Sequence, residues 1–287
     1  MNTTIAQKTS AKSALGSERI LSSPEDLRRL RQFSASISGD PHLEGCGRTI
    51  SVGVSGSGGA VIQRIVRCRR KWLCPTCGYA AAIDESRKLG QRLSSWTSKG
   101  HSVGLLTLTQ HHDAGTGLAV LWDRLEGGWA AAAGGAAWRA DRELYGTRGY
   151  VRIVEVVHHP VHGWNVHVHA LLLLDEALGE AGLKELKDSL AGRFVRRISN
   201  RGGGADVNGQ DLKPLKSGTE ERLSAYCLKG AKAVWSENGS RSPMAILADL
   251  STTGQDPALW EEFATTVTEK RRMQLSTSKR LDSICMA

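Results

Sequence analysis

Apolar positions along the chain recur with two periods, and the switches between those periods mark its elements. "HSVGLLTLTQ" (101–110) alternates apolar and polar residues as a strand does. "YVRIVEVVHH" (150–159) and "WNVHVHALLLL" (164–174) are two more strands, and "PVHG" between them is a hairpin signal. Residues 118–145, rich in Ala, Leu and Trp, are expected to be helical with a break at Gly134 and Gly135. "LGEAGLKELKDSLAGRFVRRI" (178–198) is amphipathic at helical spacing, "NRGGG" is a loop, and "ADVNGQDLKPL" (205–215) holds a short strand. "TEERLSAYCLKGAKAVW" (219–235) predicts another helix, and two weaker ones follow from 240 onward, the last strongly basic ("EKRRMQLSTSKR"). Upstream, "SSPEDLRRLRQF" (22–33) carries a Ser cap, Pro24 at the first helical position and acids in the first turn. "AAAIDESRKLGQRLSSWTSKG" (80–100) reads as a helix ending at Gly100. No internal repeat is visible.

This order predicts an α+β fold, an antiparallel sheet with helices on one face, plus a small N-terminal zinc-binding module. The expected division is a disordered polar arm (1–20), a helix with a Cys-rich module (21–100), a core (101–239) and a basic helical tail (240–287).

Charge narrows the partners. Lys plus Arg number 38 against 29 Asp plus Glu, a formal net charge of +9, which favours a polyanion such as nucleic acid. No run of 18 apolar residues exists, so no membrane partner is expected. "MNTTIAQKTSAKSALGSE" lacks the apolar stretch of a secretory signal, so the expected compartment is the cytoplasm. Cysteines there are expected to be reduced, buried or metal-bound. Cys68, Cys74 and Cys77 in "CRRKWLCPTC", with Cys46 in "EGCGRT" ahead of them, point to a structural zinc site held by four thiolates. His42 is an alternative to Cys46. A CxxC redox pair is disfavoured because no βαβ frame surrounds it. The knuckle presents Arg67, Arg69, Arg70, Lys71 and Trp72 for DNA contact. Arg193, Arg196, Arg197 and Arg201 are further candidates to track phosphates, against the plainer reading of a solvated helix face. Cys227 and Cys285 read as ordinary thiols.

The chemistry concentrates on the hairpin. His167 and His169 are two apart on a strand and share a face, while Val166, Val168 and Ala170 point the other way. Glu155 is the one acid in "VRIVEVV", and a buried carboxylate needs a partner. A hairpin centred near Val161 or His162 places it opposite His167 or His169. Two imidazoles and a carboxylate suit a divalent ion such as Mg²⁺ or Mn²⁺ working on a phosphate. His158, His159 and His162 at the turn remain competing ligands. Further on, Tyr226 and Lys229 stand at i, i+3 of the predicted helix, a phenol beside an ammonium.

"LLTLTQHH" (105–112), "NVHVHALLLL" (165–174) and "AYCLKGAK" (225–232), in that order, resemble the three motifs of rolling-circle plasmid replication initiators of the HUH endonuclease superfamily. The matching stretch runs from about 102 to 236. The resemblance implies an HUH, RRM-like palm and a metal-dependent nickase and ligase of single-stranded DNA. It implies His167 and His169 as metal ligands, Glu155 as a third, Tyr226 as nucleophile and Lys229 as its companion. It implies a plasmid double-strand origin as target, and a bacterial host's helicase and polymerase as partners. Two positions depart from it. Many relatives carry a third alternating histidine where this chain has Asn165. Some carry a glutamate one turn before the tyrosine, where this chain has Arg222, with Glu221 at the wrong angle. The competing readings are a single-tyrosine transposase, a zinc-containing DNA-binding protein without catalysis, and a metal-dependent hydrolase that does not use Tyr226.

Overall fold

A computed structural model of the protein describes residues 19–215, 230–270, 272 and 274–278. Its centre is an antiparallel five-stranded sheet of order β7-β4-β6-β5-β9. These strands are β4 (Ser102–Leu108), β5 (Thr147–His159), β6 (Gly163–Leu174), β7 (Asp211–Pro214) and β9 (Leu275–Thr277). The β5–β6 hairpin is its spine. Gly163 closes the turn at φ 72°, and a Cβ there would lie 2.6 Å from the Asp113 carbonyl oxygen, so the position requires glycine.

Side chains alternate across the sheet. Val154, Val156, Val166, Val168, Ala170, Leu172 and Leu174 bury one face under α4 (Leu118–Ala132) and α6 (Glu180–Ser199). Those two helices approach closely at Gly128, where a Cβ would sit 2.7 Å from the Phe194 ring. α5 (Gly135–Leu144) follows α4 after a break at Ala133 and Gly134.

The other face is also covered. Val151, Ile153, Leu171 and Leu173, with Val103, pack on Leu89, Leu93 and Trp96 of α3 (Pro75–Thr97). Helices therefore lie on both faces, which corrects the expectation of one. The run Leu171–Leu174 carries the reason: four consecutive leucines are each 1% exposed, and an apolar run without alternation is what a strand covered on both faces requires.

The N-terminal part adds β1 (Arg19–Leu21), α1 (Pro24–Ser38), α2 (Pro41–Glu44) and the hairpin β2 (Thr49–Val54)–β3 (Ala60–Ile65). α1 begins as its sequence predicts: Pro24 is in its first turn, and the Ser23 hydroxyl accepts the Asp26 N–H at 3.1 Å.

The C-terminal part differs more from expectation. α7 (Pro243–Thr253) and α8 (Pro257–Glu269) are no peripheral tail; Ile246, Leu247, Trp260 and Phe263 join the same cluster as Trp122, Val166 and Phe194. The basic segment after Glu269, expected to be the second of two helices, is not helical where it is described. Leu275–Thr277 instead form β9, with Leu275 opposite Ile153 and Thr277 opposite Val151. The open edge of β5 pairs with this segment, and Leu275 packs against the apolar cluster under α3, a contact that a solvated basic helix would not make. Of the helix expected over 219–235, residues 216–229 lie outside the described residues. Ala233–Trp235 form β8, which pairs with β1, so Arg19 and Ile20 belong to a strand rather than to an arm. Leu30, Leu43 and Cys74 share the large cluster as well, so the segments 21–100, 101–239 and 240–287 contribute to one core.

Candidate functional site

β5 and β6 pair without slippage through the critical stretch, with Glu155 directly opposite His167 and Ile153 opposite His169. The odd-numbered side chains emerge together on the face that α3 covers farther along. There the Glu155 Oε2 lies 3.2 Å from His167 Nε2 and 3.1 Å from His169 Nε2, and the two nitrogens are 3.1 Å apart. The imidazole planes cross at 87°, which lets both Nε2 atoms aim at one point. The side chains are 11–16% exposed.

This triangle has the proportions of a metal site. Three neighbouring donors on an octahedral ion at about 2.2 Å stand about 3.1 Å from one another. Such a set occupies one face and leaves the opposite positions open. Thr107 of β4, opposite His169 in the register, places its hydroxyl 3.1 Å from His169 Nδ1. That contact holds the ring, and the hydroxyl can accept from a protonated Nδ1 or donate to a bare one. Asn165 shares the face, and neither its buried Oδ1 nor His167 Nδ1 has a hydrogen-bond partner among the described residues.

The turn histidines do not join the group. His158 points to the other face against Trp164. His159 stacks on His162 and binds the Asn238 carbonyl at 2.8 Å. Among the described residues, Glu155, His167 and His169 are the members of this cluster. Tyr226 and Lys229, with Glu221 and Arg222, lie outside the described residues. Thr107 lies within "LLTLTQHH", the first of the three motifs, but the sequence alone gives it no role at the site. Its signal is the polar position within the alternation of "LLTLTQ", legible only once β4 is known to neighbour β6.

The second cluster is Cys46, Cys68, Cys74 and Cys77, whose sulfurs lie within 4.8 Å of one another. Cys46 is 3.7 Å from Cys74 and 3.5 Å from Cys77, and Cys68 is 3.6 Å from Cys77. A disulfide needs about 2.05 Å, whereas tetrahedral thiolates on zinc at about 2.3 Å stand about 3.8 Å apart. Local geometry builds the cluster. Cys74 caps α3, its sulfur accepting the Cys77 N–H at 3.4 Å, and Pro75 fits the first turn. A Cβ at Gly78 would collide with the Lys71 carbonyl.

Cys68, Cys74 and Cys77 are close enough that ionising one opposes ionising the others. Hydrogen bonds from Cys68 and Cys74 hold Cys77 far below the usual thiol range. The same contacts, first with Cys68, push Cys74 far above it. Cys68 is lowered by its contact with Cys74, but Cys77 and burial outweigh this and push it up to about 12. A dication resolves the conflict, because every ligand is then stabilised as thiolate.

The basic candidates separate spatially. Arg70 pairs with Asp40 at 2.7 Å and Lys71 pairs with Glu85, while Arg69 has no ion pair among the described residues. Arg196 and Arg197 are exposed at the end of α6, on the side of the sheet away from Glu155. The structure does not bring them to the Glu/His/His face. Arg193 is tied to Asp141 at 2.5 Å. No helix of the described residues is long and apolar enough to cross a membrane.

No family model matches the chain, and no solved structure matches it significantly. The chain is 30% identical over 142 residues to a Streptomyces cyanogenus protein named Neomycin resistance protein, covering 41% of this chain and 32% of that protein. It is 26% identical over 164 residues to the Streptomyces lividans protein named Protein rep, covering 48% of this chain and 36% of that protein. The chain thus matches about a third of the length of each of these curated relatives.

Proposed function

We propose that the protein initiates rolling-circle replication of a plasmid or related element by nicking one DNA strand at a fixed site, as an HUH-type tyrosine endonuclease. The observation that carries this reading is the Glu155/His167/His169 triangle, with its donors 3.1–3.2 Å apart. The order of the two histidines before Tyr226, the net charge of +9 and the likeness to Protein rep agree with it. The name of the other relative gives a resistance phenotype and fixes no reaction.

Glu155 Oε2 and the two Nε2 atoms would hold a divalent ion such as Mg²⁺ or Mn²⁺, which would supply Lewis-acid polarisation of the scissile phosphate. Thr107 accepts the Nδ1–H of His169, which leaves the Nε2 lone pair free to bind. Tyr226 Oη attacks phosphorus in line. Its new P–O bond forms as the bond to the 3′ oxygen breaks, giving a 5′-phosphotyrosine and a 3′-OH that primes a host polymerase once a helicase opens the duplex. Lys229, three positions after Tyr226 in the sequence, offsets phosphate charge. The covalent link keeps the phosphodiester energy, so the same site can rejoin strands. Zinc in the Cys46/Cys68/Cys74/Cys77 cluster is structural, and Arg69, Arg70 and Lys71 stand where DNA can meet the knuckle. Arg196 and Arg197 serve, if at all, a strand passing the far side of the sheet.

Tyr226→Phe is expected to abolish nicking and the covalent DNA adduct in Mn²⁺ while single-strand binding persists. Mass spectrometry of a peptide containing Tyr226 linked to DNA reads the adduct. A phenylalanine variant that still nicks refutes tyrosine chemistry, and a wild type that never forms the adduct on any origin strand refutes the enzyme reading.

A further inference from the structure

We propose that the β2–β3 hairpin is a DNA-reading ribbon that inserts into the major groove of duplex DNA. The proposal deepens the proposed function and rests on it only for DNA as the partner. Cys46 and Cys68 bracket the hairpin, so the thiolate cluster clamps both of its strands. Between them Gly47 donates to the Val66 carbonyl and Val66 to that of Arg48, each at 2.9 Å. Arg31 of α1 donates to the Cys46 carbonyl. The root is therefore fixed and the rest projects.

What projects is apolar without being core. Ile50 is 53% exposed, Val52 60%, Val54 77% and Val61 45%. A two-stranded hairpin is marginal in water by itself, and branched apolar side chains left in solvent on such a hairpin mark a contact surface. The register places Val52 opposite Ile62 and Val54 opposite Ala60, with shifts near Ser51 that twist the ribbon. Its tip, Ser55 to Gly59, carries no side chain larger than serine, and Gly58 adopts φ 85°. A tip this slim can approach a sugar–phosphate backbone closely.

Charge selects nucleic acid over protein as the occupant. No acidic residue stands between Glu44 and Asp84, whereas Arg48, Arg64, Arg67, Arg69, Arg70 and Lys71 do. All six are exposed, and Arg48, Arg64, Arg67 and Arg69 have no ion pair among the described residues. Size selects the duplex. Six-residue strands span about 20 Å, and the major groove, about 12 Å wide, admits a two-stranded ribbon. Within it Val52 and Val54, which share one face of the ribbon, meet thymine methyl groups and base edges, while Arg48 and Arg64 reach the flanking phosphates.

The test uses the full chain, zinc-loaded, with a 40-base-pair mixed-sequence duplex and the matching single strand. Val52→Thr/Val54→Thr keeps strand propensity and removes apolar contact from one face of the ribbon. Arg48→Ala/Arg64→Ala removes two cations. The valine variant is expected to bind duplex about tenfold more weakly. The arginine variant is expected to reduce the salt slope of duplex binding by about 1.8, at about 0.9 per phosphate. Both are expected to keep stoichiometric zinc and unchanged Mn²⁺-dependent single-strand nicking. Duplex affinity unchanged in the valine variant, with zinc retained, overturns groove insertion. A valine variant that instead loses self-association, read by light scattering, shows a protein interface and also overturns it. Absence of nicking in the wild type would sink the enzyme reading and leave the ribbon result to stand alone.

Discussion

Thr107→Val isolates how the candidate ion site is held. Valine keeps the shape and strand propensity of threonine and removes the hydroxyl 3.1 Å from His169 Nδ1. The imidazole is 11% exposed, so water poorly replaces the lost partner. Losing one partner of a buried hydrogen bond costs about 1–3 kcal/mol. If that cost falls on the metal-bound tautomer, Mn²⁺ affinity drops about 5- to 150-fold. Isothermal titration with Mn²⁺, checked by the electron paramagnetic resonance of free Mn²⁺, measures it directly. Thr107→Ser restores the hydroxyl and is expected to recover most of the affinity, which a merely structural defect would not. A valine variant binding Mn²⁺ within twofold of wild type would refute the role given to Thr107. If the wild type takes up no divalent ion at all, the triangle is a hydrogen-bonded cluster and the reading of it as an ion site fails.

Cys77→Ser is expected to release the structural zinc, seen by atomic absorption, and to lower stability by several kcal/mol in denaturant titration, because Cys46, Cys74 and Cys77 share the core with Leu30, Leu43 and Leu73; unchanged zinc content would count against the tetrahedral site. Burial, with nearby Arg241, depresses the His158 titration below its ordinary 6.5 despite the opposing Asp256 and Glu262. The unfolded chain therefore takes up this proton first, so stability falls as pH drops below 6.5. His158→Gln is expected to flatten that slope in thermal melts, and an unaltered slope would contradict it.

What is legible in the sequence is local and periodic. The hairpin centre between β5 and β6 follows from turn residues and alternation, and the parity of 155 and 167 places Glu155 and His167 on one face. The cysteine cluster follows from spacing and from the knuckle proline. The covering of the second face is written less plainly. Leu171–Leu174 hint at it, but a run without period names no partner, and α3 is far away in sequence. β8 and β9, three residues each, carry no periodic signal, and their partners β1 and β5 supply the hydrogen bonds that define them. Thr107 becomes meaningful through a neighbour 62 positions away. The ribbon is hidden because its apolar residues look like core when only their alternation is read.

The closing of the β5 edge has a consequence for synthesis. β5 and β6 are joined by a short turn and can zip as soon as both leave the ribosome. The edge that β9 covers stays bare much longer: Tyr150 donates its N–H to the hydroxyl of Ser278, 128 positions on, and the Trp72 indole binds the Arg272 carbonyl across 200. A nascent chain thus carries Glu155, His167 and His169 on a sheet with one open side, where another unfinished chain can add a strand. The covering of that edge therefore waits on residues near 278, with every contact of the closed form unchanged.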